Sequence, residues 1–345
     1  MSKLRLVIVG LGARARIWMR VARDSPDIEV VGLCDPDQAA RDRAATLFPE
    51  AAIAATLPEV IGVGADAVLL CTPPGGRQAQ IETCCAHKVA ILAEKPLADD
   101  VTTAARYVAM AEAAGVPLIV GLNFRYLPVT QEMRRLLRAK TVGAPEFGRF
   151  TYERWRDGTL AHLNSYPLTM THPMLWEQSV HHFDLMRYVY DAEPIRIQAH
   201  TFNPSWSMYA GDTNVSALIH FDTGMAVNYQ GTWQGGLDRL DFEWRTDCSE
   251  GVIVQRDMFG DLAIARRGAG TLSVVPLPLF EQWIIDATAL LAMFVDTLRG
   301  ATPQCTGRDH LQTLFMLEAC ILASHRRGSV DIAEIRDTAY DNIEK

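Results

Sequence analysis

No stretch of this chain approaches the roughly 18 consecutive apolar residues that a membrane-spanning helix needs. Its seven cysteines, at 34, 71, 84, 85, 248, 305 and 320, are odd in number, scattered and without a Cys-x-x-Cys pair. That pattern disfavours a disulfide framework or a zinc site and suits reduced, buried small hydrophobes. There is no low-complexity tract and no internal repeat. Positive charge is in short supply: 33 Lys and Arg against 41 Asp and Glu give a net charge of -8, which argues against nucleic acid or an anionic membrane surface as partner. The opening Met1-Ser2-Lys3-Leu4-Arg5 runs straight into a short apolar segment ending at glycine, too brief for a signal-peptide core, so the expected address is the cytoplasm.

What is present reads as globular: 49% hydrophobic and 21% charged residues over 345 positions, a length that predicts two domains. Leu4–Val9, Ile28–Leu33, Ala67–Cys71, Val89–Ala93 and Pro117–Val120 are continuously apolar, as strands of a buried parallel sheet are. Helical spacing separates them over Arg14–Asp24, Gln38–Phe48, Gly76–Ala86 and Thr102–Ala114. This βαβα order predicts a doubly wound α/β domain over residues 1–122. Residues 123–345 predict an α+β domain. A helix near Thr130–Lys140 leads into strands Phe147–Trp155, Ile195–Phe202, Val215–Phe221, Met225–Thr232, Leu240–Thr246, Val252–Arg256 and Leu272–Val275. These form one large, open, mostly antiparallel sheet with a hairpin turn at Asp222-Thr223-Gly224. A helix over Glu177–Tyr190 interrupts the run, and helices Gln282–Leu298 and Arg308–Arg326 close the chain, with room to pack back toward the first domain.

Gly10-x-Gly12-x-x-Ala15 follows the first strand and opens the first helix. Gly10 permits the tight turn, Gly12 lets backbone approach a pyrophosphate, and Ala15 allows close helix-strand packing. Asp35 ends the second strand twenty residues after Ala15, where a carboxylate accepts from ribose hydroxyls and repels a 2'-phosphate, favouring NAD over NADP. A helix N-cap or an Asx-turn in Asp35-Pro36-Asp37 is the other reading of the same aspartate. Arg14 beside the glycine loop suits a pyrophosphate or solvent.

Glu94-Lys95-Pro96 follows the fourth apolar strand, at the carboxyl edge where open sheets bind ligands. Lys95 there would donate to a substrate oxygen and stabilise negative charge, although Glu-Lys-Pro is also a common polar turn. In Glu177-Gln178-Ser179-Val180-His181-His182-Phe183-Asp184, a regular helix would put Glu177, His181 and Asp184 on one face, with His182 a quarter turn away. An imidazole suits a general base, and a carboxylate on its face can orient it. Adjacent histidines cannot both face one ion from a helix, so no metal is expected. A solvated helix start is the plainer reading.

This combination, with Thr72-Pro73-Pro74 after the third strand and a closing pattern from Phe294 through Gly300, Pro303 and Asp309 to Gly328, resembles the glucose-fructose oxidoreductase, inositol dehydrogenase and rhizopine catabolism (Gfo/Idh/MocA) family over nearly the whole chain. The resemblance implies a Lys95 and His181 catalytic pair with Glu177 beside it. It also implies cofactor contacts from Gly10, Gly12, Arg14, Ala15, Asp35, Thr72, Pro73, Glu94 and Lys95, and a homodimer or homotetramer through the second sheet. Glu177 stands where many members have Asp, Ser179 where many have Gly, and Arg77 where a histidine commonly follows the Thr-Pro pair.

For substrate, Arg125 and Tyr126 after the fifth strand should reach an interdomain cleft, Arg125 binding a hydroxyl or carboxylate or else tying the domains together. Trp155, Arg156, Asn164, Tyr166 and His172 supply a polar and aromatic loop, and His182 adjoins His181. The implied reaction interconverts a secondary alcohol and a ketone on a sugar, polyol, cyclitol or sugar acid with NAD. An NAD-recycling cleaving or epimerising enzyme and a non-catalytic dinucleotide sensor are the rivals.

Overall fold

A computed structural model describes residues 2–160 and 163–344. The chain forms two compact units: one holds the residues up to Asn123 with Glu281–Leu311 and the stretch from Ile343, the other Phe124–Phe280 with Gln312–Asn342.

The first unit is built on β1 (Leu4–Val9), α1 (Ala13–Asp24), β2 (Ile28–Cys34), α2 (Gln38–Ala45), β3 (Ala52–Ala54), α3 (Leu57–Val60), β4 (Ala67–Leu70), α4 (Gln78–His87), β5 (Ala90–Ala93), α5 (Val101–Ala114) and β6 (Leu118–Val120). The six strands lie in the order β3-β2-β1-β4-β5-β6, and every pair is parallel. β1, β4 and β5 are buried on both faces, which is why they read as unbroken apolar runs. β3 was not expected: Ala-Ile-Ala is too short to stand out by pattern. Helix limits follow local chemistry. Asp100 accepts from Thr103 N–H at 2.8 Å to start α5, and Gly115 at φ 64° ends it. Because the sheet is parallel, Gly10, Asp35, Thr72, Glu94, Lys95 and Asn123 all emerge at its carboxyl edge.

The second unit contains α6 (Pro128–Arg138), β7 (Pro145–Glu153), α7 (Val180–Tyr190), β8 (Pro194–Phe202), β9 (Asn214–Phe221), β10 (Ala226–Thr232), β11 (Asp241–Cys248), β12 (Gly251–Asp257), β13 (Gly260–Arg266) and β14 (Ser273–Val274). α8 (Ile285–Leu298) packs on α1 in the first unit, and α9 (Gly307–Arg326), β15 (Ser329–Asp331) and α10 (Ile332–Glu344) complete the chain. The nine-stranded order is β14-β13-β12-β11-β7-β10-β9-β8-β15, antiparallel throughout except for the parallel β7–β10 pair. The β9–β10 hairpin turns at Gly224, φ 88°. Alternate residues of this sheet, among them Phe150, Val227, Tyr229 and Trp244, are buried on the face that α7 covers. Each such fully buried side chain contributes roughly 1.5–3 kcal/mol. The opposite face carries Arg149, Thr151, His200, Ser216, Asn228 and Gln230 around a shallow depression. None of the helices of the described residues is long and apolar enough to cross a membrane.

Candidate active site

In the first unit, the turn after β1 demands glycine. Gly10 sits at φ +84°, and a Cβ there would stand 3.0 Å from Thr72 N and 3.1 Å from the Cys71 carbonyl carbon. Gly12 caps α1 with no side-chain hydrogen bond, and a Cβ on it would meet nothing within 4 Å. The first N–H groups of α1 thus receive no side-chain cap from Gly12, and they carry the partial positive charge of the helix start. Asp35 does two things at once. Its Oδ2 accepts from Leu11 N–H at 2.6 Å, bracing the glycine turn, and its Oδ1 accepts from Asp37 N–H at 2.8 Å in an Asx-turn. The N-cap of α2 is Asp37, whose side chain accepts from Ala39 N–H. Each Asp35 oxygen keeps a lone pair, so the backbone bonds do not use up its acceptor capacity. An open glycine turn, an uncapped helix start and a carboxylate at the end of β2 fit a dinucleotide.

Two cofactor expectations change. Glu94 Oε1 accepts from Arg14 Nε at 2.5 Å and from Trp18 Nε1 at 2.6 Å, so Arg14 and Glu94 tie α1 to the end of β5. Burial pushes the Glu94 carboxyl up, but the Arg14 charge and the hydrogen bonds from Trp18 and Arg14 outweigh it and hold the carboxyl below the ordinary range. Thr72 Oγ1 donates to Gln80 at 2.9 Å, while Pro73 is exposed. Asn123 donates to Asp286, whose carboxyl burial pushes up.

Lys95 is half-buried between carbonyls that Arg77 collects. Arg77, 1% exposed, donates from Nη1 to the oxygens of Glu94 (2.5 Å), Pro96 (2.8 Å) and Leu97 (3.3 Å), and from Nη2 to Thr72 O. One planar fork thus joins the loops after β4 and β5 on both sides of Lys95. Arg77→Lys should cost about 1–3 kcal/mol, because a single ammonium cannot reproduce a fork to several buried carbonyls. Denaturant unfolding of the variant against the parent measures it.

In the second unit, a π-helical segment, Met174–Ser179, precedes α7. Its wider turn makes a four-residue step fall short of a full revolution, so the face expected for Glu177, His181 and Asp184 is not the regular one. Each also has a partner of its own. Glu177 Oε1 accepts from Tyr166 Oη at 2.8 Å. The ring of His181, 8% exposed, stacks on Phe124 with centroids 4.1 Å apart and planes at 18°. Asp184 is gripped by Arg125, from Nε at 2.8 Å and Nη2 at 2.5 Å, with both residues buried. Of the two readings for Arg125, the structure gives an ion pair, and it lies inside the second unit.

His182 corrects the substrate expectation. It is 1% exposed, its Nδ1 lies 2.9 Å from Tyr229 Oη and its Nε2 3.0 Å from Gln178 Nε2. Ser179 Oγ joins the same Tyr229 hydroxyl at 2.8 Å. Burial drives the His182 pKa from 6.5 down to about 3. The folded state then refuses a proton that the unfolded chain accepts, so stability falls as pH drops from about 6.5 toward 3, by up to about 1.4 kcal/mol per pH unit. Above that window the group has no effect. Unfolding of parent and His182→Asn over this range should show the parent's advantage shrinking with acidity.

Of the loop candidates, Tyr126, Trp155 and Arg156 are half-buried and Asn164 is exposed. His172 Nδ1 stands 3.3 Å from Asp212 Oδ2, and burial lowers its pKa against the pull of Asp212. Arg77, Trp18 and Tyr229 were not foreseen as parts of the site. Only Arg77 left a signal, as a departure from the family pattern.

Comparison with known proteins matches residues 4–122 to an oxidoreductase family with an NAD-binding Rossmann fold and residues 130–254 to the GFO/IDH/MocA C-terminal domain. A D-apiose dehydrogenase of Paraburkholderia graminis is 26% identical over 98% of this chain and 92% of its own length. An inositol 2-dehydrogenase of Saccharopolyspora erythraea is 28% identical over 95% and 96%. A solved oxidoreductase from Agrobacterium radiobacter, in complex with NAD+, L-tartaric acid and magnesium, superposes with a TM-score of 0.87 at 21% identity, covering 97% of this chain and all of that one. With both parts matched by models of one family and a strand order to go with them, the chain belongs to the Gfo/Idh/MocA family of NAD-binding oxidoreductases.

Proposed function

We propose that this protein is an NAD-dependent dehydrogenase that interconverts a secondary alcohol and a ketone on a sugar, polyol, cyclitol or sugar acid. The observation that carries the reading is Lys95, held by the Arg77 fork at the same sheet edge as the Gly10, Gly12 and Asp35 cradle. Gly10, Gly12 and the α1 N-terminus would hold the pyrophosphate and Asp35 the adenosine ribose, with Thr72 and Pro73 alongside. When bound, the nicotinamide supplies a two-electron hydride acceptor or donor.

The chain's own work is proton handling and positioning. His181, its ring orientation fixed by Phe124, takes the hydroxyl proton in the oxidation direction and returns it in reduction. Lys95 donates a hydrogen bond to the reacting oxygen as charge develops on it. Glu177 is a positioning residue for His181 and is itself held by Tyr166. The polar outer face of the nine-stranded sheet is the proposed surface for a homodimer or homotetramer.

Asp35 bears on cofactor choice. Asp35→Asn keeps an acceptor for the glycine turn but removes the charge that repels a 2'-phosphate. The ratio of kcat/KM with NAD to that with NADP should fall at least about tenfold, the size of one charged hydrogen bond lost. An unchanged ratio would remove Asp35 from the ribose site. Steady-state rates with each dinucleotide on a panel of polyols, sugars and sugar acids test the function as a whole, and inactivity with every member would overturn it.

A further inference from the structure

Tyr152, Arg154 and Arg156 step by two along β7 and its continuation, so they share one face of the strand. Tyr152 fixes which face this is: its ring lies 4.8 Å from His182 on α7, and its hydroxyl meets Gln178, the neighbour of Glu177, at 3.3 Å. The backbone beyond β7 is pinned. Arg154 N–H donates to Thr232 O at 3.2 Å, Arg156 N–H to Trp233 O at 2.8 Å, and Gly235 N–H to Arg154 O at 2.9 Å.

The Cα atoms of the two arginines are therefore about 7 Å apart by strand geometry, and both side chains start from the strand face that meets the segment carrying Glu177 and His181. Arg156 Cζ lies 4.0 Å over the ring of Trp233, which is 2% exposed. Burial pushes the Tyr152 and Tyr209 phenols up, against the pull of the Arg154 and Arg156 charges beside them. Both arginines are half-buried, and among the described residues neither has a carboxylate within 4 Å, whereas Arg149 and Arg245 of the same sheet pair with Glu243 and Asp247. Asp157, next in the chain, spends its Oδ1 on the N–H and hydroxyl of Thr159.

Two like charges placed on one strand face without a carboxylate partner, in a chain where acidic groups outnumber basic ones by 41 to 33, are suited to an anion from outside the chain. Placing the Arg156 guanidinium carbon over the indole leaves its N–H donors available to a carboxylate, which a guanidinium can bind in two parallel bonds. The Trp233, Tyr152 and Tyr209 rings are themselves buried, so they form the packed floor that holds the two arginines in place. We propose that Arg154 and Arg156 form a carboxylate subsite, so that the oxidised substrate is a sugar acid. This rests on the dehydrogenase reading for the reaction but on separate residues for the carboxylate.

The experiment uses matched pairs, gluconate with glucitol and galacturonate with galactose, plus the corresponding sugar phosphates. They are tested on the parent, Arg156→Ala and Arg154→Ala with NAD bound, reading kcat/KM by NADH formation and binding by tryptophan fluorescence. Each acid should exceed its neutral partner by at least about tenfold, and that ratio should shrink about tenfold in the variants, the loss of one charge-assisted pair. Arg156→Lys should recover part of it. Acids that bind in an arginine-dependent way without NADH formation would uphold the subsite and defeat the dehydrogenase reading. A ratio untouched by the variants, a preference for phosphates, or no binding of any acid would overturn the subsite. So would variants whose only change is in oligomer mass, because the arginines would then be pairing with a protein carboxylate.

Discussion

Lys95→Ala and His181→Ala should each lower kcat by at least about a hundredfold, near 2.7 kcal/mol in barrier height and the low end for a general acid-base group. NAD affinity should change little, because the glycine turn, the α1 N-terminus and Asp35 are braced by Leu11, Asp37 and each other, without the Lys95 or His181 side chain. Such a split, with turnover lost and cofactor binding kept, separates a chemical role from a structural one. If both groups serve a single proton and hydride step, the double variant should lose little more than the worse single one. Full additivity would place them in different steps, and parent-like turnover in either variant would defeat its assignment. Single-turnover rates and NAD titration by fluorescence read these outcomes.

Arg125→Met should destabilise the protein by about 3–5 kcal/mol, because it strands the Asp184 carboxylate in a buried site. Thr313 Oγ1 at 3.3 Å and Arg187 Nη1 at 3.9 Å remain near Asp184 and soften the loss, so the lower end of that range is expected. Replacing both partners, Arg125→Met with Asp184→Leu, should recover most of it, since a hydrophobic pair of similar volume avoids the desolvation of two charges. Denaturant midpoints for the two singles and the double give the coupling directly. A loss under about 1 kcal/mol in the single variant would mean that the pair is hydrated, as exposed ion pairs are.

The sequence carried the first unit well because parallel strands buried on both faces leave continuous apolar runs, and a glycine turn after the first of them has few other readings. It carried the second sheet less completely. Gly260–Arg266 was missed as a strand, since its two buried positions, Leu262 and Ala263, are adjacent and break the alternation that a half-buried strand shows. The sheet's one parallel pair, β7 with β10, has no local signature because its register is set far along the chain.

Side-chain partners were the least legible part of the candidate site. Asp35 looked like a choice between ribose acceptor and Asx-turn, while the structure shows the turn and a brace for Leu11 with acceptor capacity left over. His182 looked like a neighbour of the base, but a buried tyrosine from β10 claims it. Glu177, His181 and Asp184 could be put on one face only by assuming regular helix winding, and no residue in Met174–Ser179 announces a π segment. Arg77 was visible as an exception before it had a reason. Its partners are backbone carbonyls, which any sequence possesses.

Rapid mixing of the NAD-loaded protein with the best substrate of the panel, following the near-ultraviolet absorbance of NADH while substrate and product are quantified, tests the central claim most directly. The account predicts one NADH for each molecule of ketone, formed in the first turnover and abolished together in Lys95→Ala and His181→Ala. Substrate consumed with no NADH at any time, or with NADH that rises and then vanishes as a cleaved or epimerised product appears, would contradict a net dehydrogenase.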